Sequence, residues 1–338
     1  MGIKPMNMDK HLDVINACRY CFMCRHLAPL ALVTGKETDT PRGRALIADQ
    51  IRMNKENLKN QDYVQALYQA DLSGACRTHC VSSYDEVGLV LELRKDIVDA
   101  GVQPQPVKDF AQQFINPSFT ITGEGDVLYF NHPCIKVHAP EMKTAFDKLA
   151  PKHKTIEGND CGTALQILGY QKQADEAAEK FVKAVKESGC KTLVVPQPAA
   201  FHFIKSKNLL PDVKVLNTAE FLLTLDIPKK SGTLWPIDSD FLKNYQKNNA
   251  PRKLLEKLGY KLKEFGITHE ESYTCGEGSM TMVFLYPENV AKLVERVREF
   301  AERYEAGTLV VASPYTKLAL RTYAPELDVI SVEEAAAR

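Results

Sequence analysis

Cys18-Arg19-Tyr20-Cys21-Phe22-Met23-Cys24-Arg25-His26-Leu27-Ala28-Pro29 sets three thiols at two-residue intervals and follows them with a proline. A loop of that spacing wraps three corners of a 4Fe–4S cube. In the bacterial pattern C-x2-C-x2-C-x3-C-P, the fourth cysteine serves the other cluster of a pair. Here the fourth slot is Ala28, although the proline is kept as Pro29. The same template laid over residues 70–80 puts Ala70 and Ser73 in the first two slots, Cys76 in the third and Cys80 in the fourth. Cross-ligation then completes one set, Cys18, Cys21, Cys24 and Cys80, and leaves the other as Ala70, Ser73, Cys76 and Ala28. The spacing therefore predicts one 4Fe–4S cluster as cofactor and metal centre, held by Cys18, Cys21, Cys24 and Cys80, with Cys76 left over. Cysteines buried only for packing rarely fall at this spacing, and a structural zinc usually takes pairs of C-x-x-C.

Composition narrows the class. A chain of 338 residues suggests two or three domains and buries a sizeable core. Its 43 basic and 43 acidic residues cancel, so nothing points to nucleic acid or an anionic membrane as partner. Nine cysteines, an odd number, with no apolar signal segment, read as reduced thiols in the cytoplasm. Apolar stretches such as Ala28 to Val33 fall far short of the roughly 20 residues that span a bilayer. Met1-Gly2 lacks the Ser or Thr that myristoylation wants at position 6, where Met6 stands. Any membrane association is expected to come through a partner.

Around the cysteine runs the pattern is helical up to residue 118. Apolar residues at helical spacing between Asp85 and Ala100 and the Pro41-Arg42-Gly43-Arg44 opening mark helices, with the cysteines at turns between them. Beyond 118 the chain repeats itself. Ala139-Pro140 answers Ala250-Pro251 at an offset of 111, and Asp160-Cys161-Gly162 answers Thr274-Cys275-Gly276. Thr192-Leu193-Val194-Val195 answers Thr308-Leu309-Val310-Val311 at an offset of 116, each followed by a proline, Pro198 or Pro314. Strands alternating with helices in each copy predict α/β units with largely parallel sheets. The expected fold is α+β overall: an N-terminal helical, ferredoxin-like domain (1–118), then two duplicated α/β modules (119–228 and 229–338).

This arrangement resembles the iron–sulfur subunits of flavin-linked dehydrogenases, those of anaerobic glycerol-3-phosphate dehydrogenase, glycolate oxidase and lactate utilisation, and of heterodisulfide reductase. In that family each α/β module is of the CCG type, with a leading Cys, a Cys-Cys-Gly and a Cys-Pro-x-Cys that bind a non-cubane cluster or zinc. Here those positions are degenerate. The first module keeps Cys134 and Cys161, with Gln197-Pro198-Ala199-Ala200 in place of Cys-Pro-x-Cys. The second keeps only Cys275, with Trp235-Pro236-Ile237 at the leading position and Ser313-Pro314-Tyr315-Thr316 at the last. A soft metal site cannot be completed from these donors.

The resemblance implies an electron-transfer subunit of an oxidoreductase complex with no catalytic residues of its own. A flavin-dependent dehydrogenase partner would carry the FAD, and electrons would pass through the single cluster to a second electron carrier or a membrane quinone-linked subunit. A second reading makes the chain a disulfide or quinone reductase with a site between the modules near Cys134, Cys161 and Cys275. A third makes the cluster structural or an oxygen sensor in an assembly protein. Weaker groupings carry less. His132, Cys134, His138 and Cys161 are metal-ligand types, but their spacing fits no standard ligand pair. Cys190 reads as a small buried hydrophobe. Gly123-Glu124-Gly125 and Gly276-Glu277-Gly278 do not extend to G-x-G-x-x-G, and no C-x-x-C-H occurs. Arg19, Arg25, His26, Arg77 and His79 crowd the cysteine runs, as solvated loop charges or as a docking face for an acidic partner.

Overall fold

Helices start where the sequence supplies a cap. Thr40 accepts the Gly43 N–H at 2.9 Å with Pro41 in the first position, which opens the helix Pro41–Met53. Asp85 accepts the Gly88 N–H at 3.1 Å and opens Glu86–Asp99. The computed structural model describes residues 6–338, so the Met1-Gly2 reading lies outside it. Up to Gln112 the described chain is helical, in α-helices and short 3-10 turns.

Two sheets follow. The first contains β1 (Phe119–Gly123), β2 (Val127–Asn131), β3 (Lys154–Gly158), β4 (Thr192–Val195) and β5 (Lys214–Asn217). Its order is β1-β3-β2-β4-β5, parallel except for β1, which runs antiparallel to β3 with Ile121 opposite Ile156. The second contains β6 (Thr233–Ile237), β7 (Lys261–Leu262), β8 (Leu309–Val311) and β9 (Val329–Ser331), all parallel, in the order β7-β6-β8-β9. Without the edge strand β1 the two orders are the same connection pattern drawn twice. Helices cover both faces, so strands such as Leu193–Val195 and Leu309–Val311 are unbroken apolar runs rather than alternating ones. Gly162 (φ 110°) and Gly276 (φ 83°) both take the left-handed backbone at the corresponding turn. At Gly162 a Cβ would lie 2.4 Å from the Ala174 carbonyl oxygen, so only glycine fits. The chain is thus a mixed α/β protein. Among the described residues no helix is long and apolar enough to cross a membrane.

The core ignores the boundary at residue 118. One apolar cluster joins Ile51, Leu67 and Val90 of the helical segment to Leu165 and Leu168 of the first α/β unit and to Tyr315 of the second. Arg94 pins this junction. Fully buried, it donates to the carbonyls of Leu67 (2.8 Å), Tyr68 (3.1 Å), Ala70 (3.4 Å) and Ile167 (2.9 Å). Leu67, Tyr68 and Ile167 lie in the last turns of the helices Gln61–Tyr68 and Thr163–Leu168, whose carbonyls lack intrahelical partners, so one cation satisfies two helix ends. The Tyr68 hydroxyl adds a bond to the Leu168 carbonyl at 3.0 Å. Between the two α/β units, the buried Lys317 ammonium lies 2.6 Å from Glu141 and pairs with Glu334.

Candidate metal centre

Each cysteine run occupies a tight turn between helices. The chain leaves the helix Leu12–Ala17 at Cys18, turns through Tyr20 (φ 52°), and passes Cys24 in the 3-10 turn Met23–His26. Cys76 lies in the turn Ala75–Thr78 and Cys80 just after it. These turns face one another. Cys18, Cys21, Cys24, Cys76 and Cys80 all line one cavity, together with Pro41, Arg42, Tyr84 and Glu86. The four cysteines expected as ligands, and Cys76 with them, thus line the same cavity.

Burial in this cavity works against negative charge on sulfur, and two backbone donors oppose it. Burial raises the Cys18 and Cys24 thiols above their ordinary values, while the Tyr20 N–H at Cys18 and the Arg42 N–H at Cys24 act in the opposite direction. The Arg42 N–H is free to do so because it belongs to the first turn of Pro41–Met53, where backbone donors have no intrahelical acceptor and the helix dipole is positive. The Arg42 side chain holds the first run in place. Its guanidinium donates to Glu37 (2.7 Å) and to the Tyr20 carbonyl (3.3 Å) and stacks 4.2 Å from the Phe22 ring centroid. Of the five thiols, Cys18 and Cys76 are buried, Cys24 and Cys80 half-buried and Cys21 exposed, and the backbone donors serve Cys18 and Cys24.

Cys76 differs from the other four. It packs against Ala28 and Ala31, its sulfur lies 3.7 Å from the Cys24 carbonyl oxygen, and burial pushes its thiol far up. Ala28, Ala70 and Ser73, the other slots of a second cluster, are each at most 2 % exposed and filled by packing. The Asp71 carboxylate closes that region, accepting from the Leu30 N–H (3.2 Å) and from the Ser73 N–H (3.1 Å) and hydroxyl (3.2 Å). It thereby fastens the two runs to each other. Behind the cavity Glu86 is pushed up to about 7 by burial, against the pull of Arg44 at 3.4 Å. Of the basic residues on the runs, Arg77 lies 3.6 Å from Asp85 and His79 pairs with Glu271, while Arg19, Arg25 and His26 are exposed.

The thiols of the α/β units have other surroundings. Cys134, Cys161 and Cys275 are buried in three different apolar cores. His132 accepts the Cys134 N–H on Nδ1 (3.2 Å), so its proton sits on Nε2 and is donated to Asp160 (3.0 Å). Asp160 also accepts from the N–H groups of Gly162 (2.8 Å) and Ala164 (2.9 Å). Cys134 bonds the Tyr315 hydroxyl and Cys161 lies 3.4 Å from the Thr163 hydroxyl. His138 stands apart from this group, its ring 5.7 Å from that of Phe284. Where the resembled family would place a cysteine before the proline, Gln197 and Ser313 instead cap the helices Pro198–Ser206 and Pro314–Tyr323. Cys190 is buried, its N–H bonded to the Ser188 hydroxyl at 3.1 Å.

Sequence reasoning missed Arg42 and Tyr84. The signal for Arg42 was present, because Thr40-Pro41 marks a helix start and so a positive helix end just after the first run.

No family model and no curated protein matches this chain. Among solved structures, a hypothetical protein from Helicobacter pylori superposes with a TM-score of 0.61 at 8 % identity, over 98 % of this chain and 75 % of its own. That likeness concerns the fold. An aspartate racemase from Picrophilus torridus (TM-score 0.36, 13 % identity, 63 % of this chain and 91 % of its own) also matches. So does a glutamate racemase from Aquifex pyrophilus (TM-score 0.29, 15 % identity, 62 % and 81 %).

Proposed function

We propose that this chain is the electron-transfer iron–sulfur subunit of an oxidoreductase, working between a partner flavin-dependent dehydrogenase and a further acceptor. The observation that carries the reading is the shared cavity: thiols from two distant runs meet there against a helix N-terminus. Cys18, Cys21, Cys24 and Cys80 would hold one 4Fe–4S cluster, which supplies one-electron storage and transfer. The Arg42 and Tyr20 N–H groups favour the anionic ligands, and Asp71 and the Arg42 side chain keep the two runs in register. Tyr20, Phe22, Met23 and Val81 stand exposed beside the cavity, an apolar rim for a partner to cover. In this reading residues 1–118 form the ferredoxin-like cluster domain, and 119–228 and 229–338 are degenerate CCG-type modules serving as scaffold and docking surface. The FAD belongs to the partner, the complex works in the cytoplasm, and a quinone-linked subunit or a second carrier takes the electrons. The iron–sulfur subunit family of flavin-linked dehydrogenases is the one we infer for it.

The alternative of a disulfide or quinone reductase acting at Cys134, Cys161 and Cys275 has less support. Those thiols are buried in three different apolar clusters, and both ring nitrogens of His132, the histidine beside Cys134, are engaged by the protein. A cluster that takes electrons from flavin should be reduced anaerobically by photoreduced FMN, which carries the same isoalloxazine ring as the FAD expected in the partner. Bleaching of the cluster's visible absorption on mixing is the expected result. Iron-loaded protein that stays oxidised with FMN yet bleaches with dithionite would favour a structural or sensing cluster instead.

A further inference from the structure

Tyr84 lines the cysteine cavity and is 8 % exposed, and its buried hydroxyl has no hydrogen-bond partner among the described residues. Native folds rarely leave such a group unmatched. Asp85, the next residue, caps the helix Glu86–Asp99, so the backbone that presents the ring is fixed. A tyrosine phenol carries its proton at neutral pH, since its ordinary pKa is about 10. The hydroxyl therefore keeps its proton and serves as a donor.

We propose that Tyr84 is a potential-setting residue, whose hydroxyl donates a hydrogen bond to a sulfur of the cluster or of its Cys18 or Cys24 ligand. This rests on the iron–sulfur reading above. Reduction adds negative charge to the sulfurs, and a donor aimed at them stabilises the reduced state more than the oxidised one. Tyr84 is then a positioning residue in the electrostatic sense: it touches the centre and sets how readily it accepts an electron, while the thiols hold the iron.

Tyr84→Phe removes only the hydroxyl and keeps the ring in place. Full-length wild type and Tyr84→Phe, purified anaerobically, are compared for iron per chain and for midpoint potential by redox titration followed with EPR. Tyr315→Phe, which alters a buried tyrosine at Cys134, is the control. The expected result is wild-type iron in all three and a lower midpoint in Tyr84→Phe alone. At a fixed poise the reduced-to-oxidised ratio should fall about tenfold, equivalent to ~59 mV for a one-electron couple. Four outcomes overturn the proposal: an unchanged midpoint at normal iron, an equal shift in Tyr315→Phe, an upward shift, or iron loss in Tyr84→Phe, since a group that only tunes the centre is not needed to hold it. Wild type that takes up no iron in anaerobic reconstitution is a separate failure. It removes the iron–sulfur reading and this inference with it.

Discussion

Cys80→Ser is expected to lose or convert the cluster, with iron per chain falling to a small fraction of wild type, while Cys76→Ser keeps iron near the wild-type level. The two residues lie four positions apart and line the same cavity, so proximity alone does not separate them. Their surroundings do. Cys80 is half-buried at the cavity. Cys76 is packed as a small apolar residue against Ala28 and Ala31. Cys76→Ser should instead lower stability, by about 1–3 kcal/mol for a hydroxyl placed among apolar groups. Iron assay and denaturant unfolding of the two variants check both halves. Iron lost from Cys76→Ser and kept in Cys80→Ser would put the ligand register off by one cysteine.

The largest effect on stability is expected at Arg94. Arg94→Met keeps much of the side-chain volume but leaves the carbonyls of Leu67, Tyr68, Ala70 and Ile167 without their donor in a dry core. Each bond to a charged group contributes on the order of 1.5–3 kcal/mol, and buried acceptors left unmatched add to the loss. We expect destabilisation of roughly 3–5 kcal/mol, from several such bonds lost together with buried carbonyls left unmatched. Arg94→Lys should fall between, because an ammonium has three donors and lacks the planar fork. Urea unfolding midpoints at constant slope measure this. Because Ala70 precedes Asp71, which ties the two cysteine runs, Arg94→Met should also hold iron more weakly.

The duplicated α/β pattern was legible because its marks are local. Pro198 and Pro314 open helices, Gly162 and Gly276 turn the chain, and Leu193–Val195 and Leu309–Val311 are runs that only a strand covered on both faces would carry. Strands β1, β2 and β6 escaped the sequence reading. The residues of β2 and β6 do not alternate, Pro236 lies within β6, and β1, although Phe119-Thr120-Ile121-Thr122 alternates, is a short edge strand paired only with β3. The ligand cysteines were legible from spacing. Of their electrostatic setting only Arg42, just inside the helix start at Thr40-Pro41, left a signal; Tyr84 and Glu86 reach the cavity through packing that has no sequence period. The shared core was not legible, since Arg94 meets Ile167 across 73 residues of chain.

The most direct test is the metal content and EPR spectrum of anaerobically purified wild type. The account predicts about four irons per chain and, after reduction, one signal of the 4Fe–4S type. Eight irons or two interacting paramagnets would contradict the single-cluster assignment, and stoichiometric zinc without iron would contradict the iron–sulfur centre itself.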